Sequence, residues 1–399
     1  MAVIKTIDKV LVKAFLKNIS DKTFTVVFWD KETYKIGEGE SKFKIAIHNF
    51  PSKKKLLADP SIALGEAYMS GDIELIGNLQ EIIESMLRNK TSFLNESKLL
   101  KMFENYGRNR KKKSVRDIAQ HYDIGNDFYA LWLDPTMTYS CAYFKTETDS
   151  LYDAQMNKIH HILKKLNLQE GQTLLDIGCG WGYLSMEAAK QYNVKVLGIT
   201  LSQEQFKKAS ERIKEENLQD LVTVKLMDYR DLEKSGLKFD RVVSIGMAEH
   251  VGKTNLSLYF KNVHTVLKDS GLFLLHNITD LLETEVNGFI GKYIFPGGYI
   301  PTLREELYIA ANLGFHTIDA ESLRLHYMKT LMHWAKRFED SKDKIKPMFD
   351  TSFIRMWRLY LNACAAAFHY AKIDVHQVVF SKGANNQMPW TREYIYKEH

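Results

Sequence analysis

LLDIGCGWG, residues 174–182, is an apolar run that breaks into three glycines, Gly178, Gly180 and Gly182, and is followed by the helix pattern YLSMEAAKQY. A buried strand passing into a helix through a glycine turn is the first unit of an open α/β sheet. Glycine lets the backbone close tightly and approach a ligand at the strand's carboxyl end, where such sheets bind. Outward from this stretch, the apolar runs VKVLGIT, VTVKLM, RVVSIG and GLFLLHNI alternate with amphipathic segments such as SQEQFKKASERIKEEN. That alternation predicts an α/β domain built on a doubly wound, mostly parallel sheet.

The polar residues at the strand ends narrow the ligand. A dinucleotide site asks for G-x-G-x-x-G and an acidic residue at the end of the second strand. Here the second strand ends in Thr200-Leu201-Ser202, while Asp176 precedes the first glycine and Asp228 follows the third strand in LMDYRDL. Carboxylates with a polar pocket suit a cationic sulfonium bearing an amino-acid tail and an adenosine, which is S-adenosylmethionine. A single aspartate capping its own turn is the bland reading. The ordered set favours a class I S-adenosylmethionine-dependent methyltransferase fold.

The strand RVVSIG leads into MAEHVG and so ends on Glu249 and His250, and LLHNIT places His276 one strand later. Two ionisable groups at the carboxyl ends of neighbouring apolar strands converge on the ligand crevice. Either alone would read as a satisfied core group. His250 is expected behind Glu249, turned to the other side.

The chain's 399 residues and net charge of +6 are ordinary for a globular protein of two or three domains. The charge is regional: up to Lys113 there are 21 Lys+Arg against 14 Asp+Glu, so this part is +7 and the remainder −1. Lys5, Lys9, Lys13 and Lys17 at i,i+4 spacing predict a basic amphipathic helix over residues 3–18. It reads either as a membrane-surface helix or as the solvated face of a helix docked on its own domain. TFTVVFWD and SKFKIAIHNF predict two strands around the turn-like KIGEGES, giving a small α+β domain. The expected division is a basic lipid-binding domain at 1–107, a basic linker at 108–120 (RNRKKKSVRD lies across it) and a catalytic domain at 121–399. A lipid-binding insertion is expected around 280–350, with GFIGKYIFPGGYIPT as a lid. Three widely spaced cysteines, Cys141, Cys179 and Cys364, argue for free thiols in the cytoplasm. No window approaches a membrane span.

Taken together with HYDIGNDFYALWLDPTMTYSCAYF (121–144), GITLSQEQ, MAEHVG and YLNACAAAFHYAKIDVHQVVFSKG (360–383), these motifs resemble the cyclopropane-fatty-acyl-phospholipid synthases. The resemblance runs from about His121 to the C-terminus and implies methylene transfer from S-adenosylmethionine to the cis double bond of an acyl chain in a membrane phospholipid. It implies that the cofactor is held by Tyr139, Ser140, Gly178, Gly180, Gly182, Thr200, Leu201, Gln205, Asp228 and Tyr229. It also implies a bound bicarbonate as base, cradled by Cys141, Glu249, His276, Ile278 and Tyr327, with Cys364 as an alternative base. It also implies a homodimer, and the basic N-terminal domain is expected to dock the enzyme on the inner face of the cell membrane.

The chemistry can be built beside the name. An alkene is a weak nucleophile, so attack on a methyl group needs alignment in a dry site and leaves a carbocation. That cation needs aromatic faces and a base that removes one proton so that the ring closes. Tyr122, Tyr139, Phe144, Tyr299 and Tyr327 are the candidate rings. Glu249 would accept the bicarbonate proton, a protonated His276 and Tyr327 would donate hydrogen bonds, and Cys141 and Ile278 would offer backbone groups. The rival readings are a methyl-branch or headgroup methyltransferase acting on lipids, a non-catalytic lipid-surface protein, and a nucleic-acid methyltransferase using the basic region. The intact glycine loop and Glu249 disfavour decay, and MAEHVG stands where amine methyltransferases carry Asn/Asp-Pro-Pro-Tyr.

Overall fold

The computed structural model describes residues 9–10, 12–13, 16–17, 19–88 and 124–396, and the chain divides into two compact units. Tyr122, the linker at 108–120 and much of the helix expected over 3–18 lie outside the described residues.

The first unit contains a four-stranded sheet of order β2-β1-β3-β4, with β1 at Phe24–Val27, β2 at Thr33–Ile36, β3 at Phe43–Ile47 and β4 at Ile73–Ile76. Strand alternation sends Phe24 and Val26 inward, where Phe24 stacks on Phe43 at 4.8 Å between ring centres. The two strands expected from sequence are β1 and β3. β2, read as part of a turn, escapes because TYKI buries only Ile36. Val12 and Leu16 are buried in the same core. Lys9 pairs with Asp30 and Glu32, and Lys13 pairs with Glu32 at 2.7 Å while lying over the Tyr34 ring. These two lysines are therefore spent on their own domain, as the docked-helix reading expects.

The compact units do not follow a single cut along the chain. Asn287–Ile294 and Phe338–Lys372 group with the first unit, so the second unit is made of three stretches of chain. The physical reason is the helix Thr351–His369, whose buried Ile354, Trp357, Leu361 and Phe368 make one apolar face. It packs on the helices Pro60–Ser70 and Leu79–Arg88, with His369 bonded to Glu84 at 2.8 Å.

The second unit holds the seven-stranded sheet: β5 Thr173–Ile177, β6 Lys195–Thr200, β7 Val222–Leu226, β8 Phe239–Ile245, β9 Leu267–Asp280, β10 Phe315–Ser322 and β11 Ile373–Lys382. Their order is β10-β11-β9-β8-β5-β6-β7, with β5 to β9 parallel and β11 antiparallel to both its neighbours. Helices cover both faces, which is why the strands read as continuous apolar runs. Leu174, Val243, Leu272 and Leu274 fill the core on one face, and Leu175, Val242, Phe273 and Leu275 the core on the other.

The buried Arg241 at the start of β8 has a distinct job. Its guanidinium donates to the carbonyls of Leu166 (2.6 Å), Asn167 (3.1 Å) and Asp240 (2.9 Å), tying the C-terminal end of the helix Leu151–Lys165 to the sheet. Replacing it leaves those carbonyls unsatisfied. Arg241→Met is expected to lower unfolding free energy by about 1–3 kcal/mol, read from the urea midpoint. A midpoint equal to the wild type would refute this clasp.

Candidate active site

The cleft opens at the carboxyl ends of β5, β6, β7 and β8, beside the point where the chain reverses direction across the sheet. At its floor Gly178, with φ of +80°, leaves room that a Cβ would close to 3.1 Å from Met247. Gly182, with φ of +79°, caps the helix Tyr183–Tyr192, and a Cβ there would come 3.1 Å from Ala209. Both are left-handed positions that favour glycine.

Of the residues expected to hold the cofactor, Tyr139, Ser140, Asp176, Gly178, Gly180, Thr200, Leu201, Gln205, Asp228 and Tyr229 all border this cleft, and Gly182 stands behind it at the helix start. Thr200 donates its hydroxyl to Gln205 Oε1 at 2.8 Å, fixing the end of β6 to the next helix. Burial pushes the Asp176 carboxyl up to about 6, although Ser185 donates to it at 2.8 Å. Asp228 differs: burial opposes its ionisation, but Arg230 donates to both carboxylate oxygens and holds the group below its ordinary value. Tyr139 packs in an aromatic cluster, 5.4 Å from Trp132 and 5.2 Å from Trp334, while still bordering the cleft.

Sequence reasoning missed Lys158, Gln155 and Arg230. Gln155 and Lys158 lie on the buried stripe of the helix Leu151–Lys165 and hold the loop that carries Tyr139 and Ser140. Gln155 Nε2 donates to the carbonyls of Thr138 (3.2 Å) and Ser140 (3.0 Å), and Lys158 Nζ donates to Ser140 Oγ at 2.9 Å. A lysine falling on the apolar side of a helical period was the available signal.

The residues expected to cradle the base, Cys141, Glu249, His276, Ile278 and Tyr327, are not among those that border this cleft. Glu249 leaves β8 in a short 3-10 turn, and its Oε1 accepts from the backbone N–H of Ile278 in β9 at 2.7 Å. Ile278 thus spends its amide on Glu249 instead of offering it to an ion. Burial pushes the Glu249 carboxyl up to about 7, against that hydrogen bond. His276 is buried, with Gln377 Nε2 donating to its Nδ1 at 3.1 Å, so the ring proton belongs on Nε2. Among the described residues neither Glu249 Oε2 nor His276 Nε2 has a hydrogen-bond partner, although both are shut off from solvent.

Two expectations need correction. His276 is not protonated: burial first, then the charges of Lys158 and Lys165, hold its pKa well below the ordinary value. His250 turns away from Glu249 as expected, but it borders the cleft itself, where burial pushes it down to about 4. Consecutive residues of a tight turn point different ways, and Glu249 is the one turned to the β9 backbone. Of the candidate rings, Phe144 and Tyr299 have Lys329 and Lys253 over their faces at 4.6 Å and 5.5 Å, and among the described ones only Tyr139 borders the cleft. Tyr327 packs edge-on against Trp334. Cys141 is buried beside Ser140, its thiol donating to the Ala142 carbonyl at 3.2 Å and its pKa raised by burial. Cys364 lies on the helix Thr351–His369 of the first unit, and burial pushes its thiol up to about 12.

A seven-stranded sheet of this order, with a glycine loop after its first strand and a polar cleft at the strand ends, defines a class I S-adenosylmethionine-dependent methyltransferase. The family model of mycolic acid cyclopropane synthetase matches residues 109–378, and that of a domain of unknown function matches residues 11–98. The chain is 40% identical over 355 residues to the cyclopropane-fatty-acyl-phospholipid synthase of Escherichia coli, covering 87% of this chain and 90% of that one. It is equally 40% identical over 355 residues to a "probable fatty acid methyltransferase" of Pseudomonas putida, covering 86% and 88%. The crystal structure of mycolic acid cyclopropane synthase CmaA1 complexed with SAH and CTAB superposes with a TM-score of 0.64 at 35% identity, covering 68% of this chain and 99% of that one. The chain belongs to the mycolic acid cyclopropane synthetase family.

The Glu249 environment has a measurable consequence. Folded Glu249 keeps its proton to a higher pH than the unfolded group, 4.5 rising to about 7, so stability falls as pH rises through that window. Glu249→Gln keeps an acceptor for Ile278 and escapes the loss. The variant is expected to gain on the wild type from near zero at about pH 4.5 to at most about 3 kcal/mol above pH 8, measured by denaturant unfolding. A stability difference that does not change with pH would contradict the assignment.

Proposed function

We propose that this enzyme transfers a methylene group from S-adenosylmethionine to the cis double bond of an unsaturated acyl chain in a membrane phospholipid, with bicarbonate as the base. The family and the cleft support the cofactor, and the relative from Escherichia coli bears that activity in its name. One observation carries the base: a buried acceptor, Glu249 Oε2, and a buried donor, His276 Nε2, have no partners among the described residues. Bicarbonate offers both an O–H and carboxylate oxygens, and when bound it would supply a compact base able to take a proton from a carbocation.

The residues do the rest. Glu249, poised near neutrality by burial, accepts the O–H of the ion and can hold the released proton. His276 donates from Nε2 as a neutral imidazole, its tautomer set by Gln377. Ile278 orients Glu249 through its amide. Tyr139 and Tyr327 present rings to the developing cation, and Cys141 contributes shape and backbone to the wall. A charged imidazolium is unnecessary here, because a dry site strengthens even a neutral hydrogen bond.

Access to a bilayer-embedded chain requires peripheral contact with the inner membrane face, which belongs to the same proposal. No helix among the described residues is long and apolar enough to cross a membrane.

Purified protein, S-adenosylmethionine and unsaturated phospholipid vesicles should yield acyl chains heavier by one CH2 and resistant to alkene-specific oxidation. A retained double bond with a methylated headgroup, or a methyl-branched chain, would assign the rival lipid methyltransferase instead. Glu249→Gln is expected to lower the rate by about 10²–10⁴-fold, the usual worth of a positioned base. Removing dissolved CO2 should slow the wild type, and added bicarbonate should restore it; a rate indifferent to bicarbonate would remove the ion from the account.

A further inference from the structure

Lys158 is the feature that the proposed function does not use. It is 1% exposed, yet its side chain forms part of the cleft wall beside Ser140, Asp176 and Gly178. Its Nζ donates to Ser140 Oγ at 2.9 Å, and among the described residues no carboxylate comes within ion-pair distance of it. The two nearest acids are engaged elsewhere: Asp134 accepts from the amide and hydroxyl of Thr136, and Asp176 from Ser185. An ammonium with three donors and one neutral partner is an unfinished site. Burying it costs free energy that a matching anion in the cleft offsets.

S-adenosylmethionine has one anionic group, its α-carboxylate; its sulfonium and ammonium are cations that Lys158 repels. We infer that Lys158 is a cofactor-binding residue that receives the α-carboxylate of S-adenosylmethionine, with Ser140 fixing the ammonium in place. This rests on the cofactor reading above and adds which end of the ligand lies where. The amino-acid end sits against the helix Leu151–Lys165, and the adenosine end toward Thr200, Gln205 and Asp228 at β6 and β7. Burial pushes Lys158 down to about 8, against the fields of Cys141, Asp134 and Asp176, and an arriving carboxylate restores its charge.

The test is calorimetric titration of the full-length protein with S-adenosylmethionine and with decarboxylated S-adenosylmethionine, which keeps the sulfonium, amine and adenosine. Wild type should prefer the carboxylated ligand by about 10- to 100-fold, the factor a charged hydrogen bond carries. In Lys158→Met that preference should collapse to within about twofold, through lost affinity for the carboxylated ligand alone. Equal weakening of both ligands would make Lys158 a structural support of the loop and overturn the inference. If the variant does not fold, the wild type still decides, since equal affinity for the two ligands would also overturn it. Wild type that binds neither ligand would instead overturn the cofactor reading, and the inference with it.

Discussion

The hydrogen bond from the Ile278 amide to Glu249 Oε1, 2.7 Å long, joins the exits of two neighbouring strands and decides what the site can do. β8 ends in a short turn, whereas β9 continues to Asp280. The bond folds the turn onto the longer strand and fixes one carboxylate oxygen. The other oxygen is thereby aimed, and it is this aimed oxygen that has no partner among the described residues. The same turn leaves His250 facing the cofactor cleft, so one tight bend serves two regions of the site.

Burial then sets the proton inventory. It raises Glu249 to about 7 and depresses His276 far below its ordinary value, so neither is forced to carry a charge in the dry interior. The nearby Glu306 follows the same rule: it is fully buried, bonded to Asn277 at 2.6 Å, and raised by burial well above a normal carboxylate. Such a site suits a reaction that passes through a carbocation, because water would quench the cation and a strong fixed charge would be costly to bury. Lys158 is the exception among these groups, since it keeps a pKa of about 8 in full burial.

The parallel core was legible because strands covered on both faces must be apolar throughout, and β5, β6, β8 and β9 announced themselves in that way, while the edge strand β7 alternates. A cleft lining was legible because a glycine turn and strand-end polar groups occupy fixed places in such a sheet; ten of the residues expected to hold the cofactor border the cleft. What sequence could not give was direction. Glu249 and His250 are adjacent, and only the turn geometry separates their roles. Asp228 looked available in the sequence but is bonded to Arg230 two residues on. The helix Thr351–His369 read as part of the catalytic domain because sequence order was the only guide, while its apolar face is matched by helices hundreds of residues earlier. Lys9 and Lys13 fit a membrane face or a docked helix equally by spacing, and Asp30 and Glu32 opposite them favour the docked helix.

The central claim is that Glu249 and His276 hold a bicarbonate ion between an acceptor and a neutral donor. Isotope-edited infrared difference spectroscopy tests it most directly, comparing 13C- and 12C-bicarbonate on the protein saturated with S-adenosylhomocysteine. The account predicts bound-bicarbonate bands displaced from those in solution, which shift again in Glu249→Gln. Spectra indistinguishable from free bicarbonate in the wild type would contradict it.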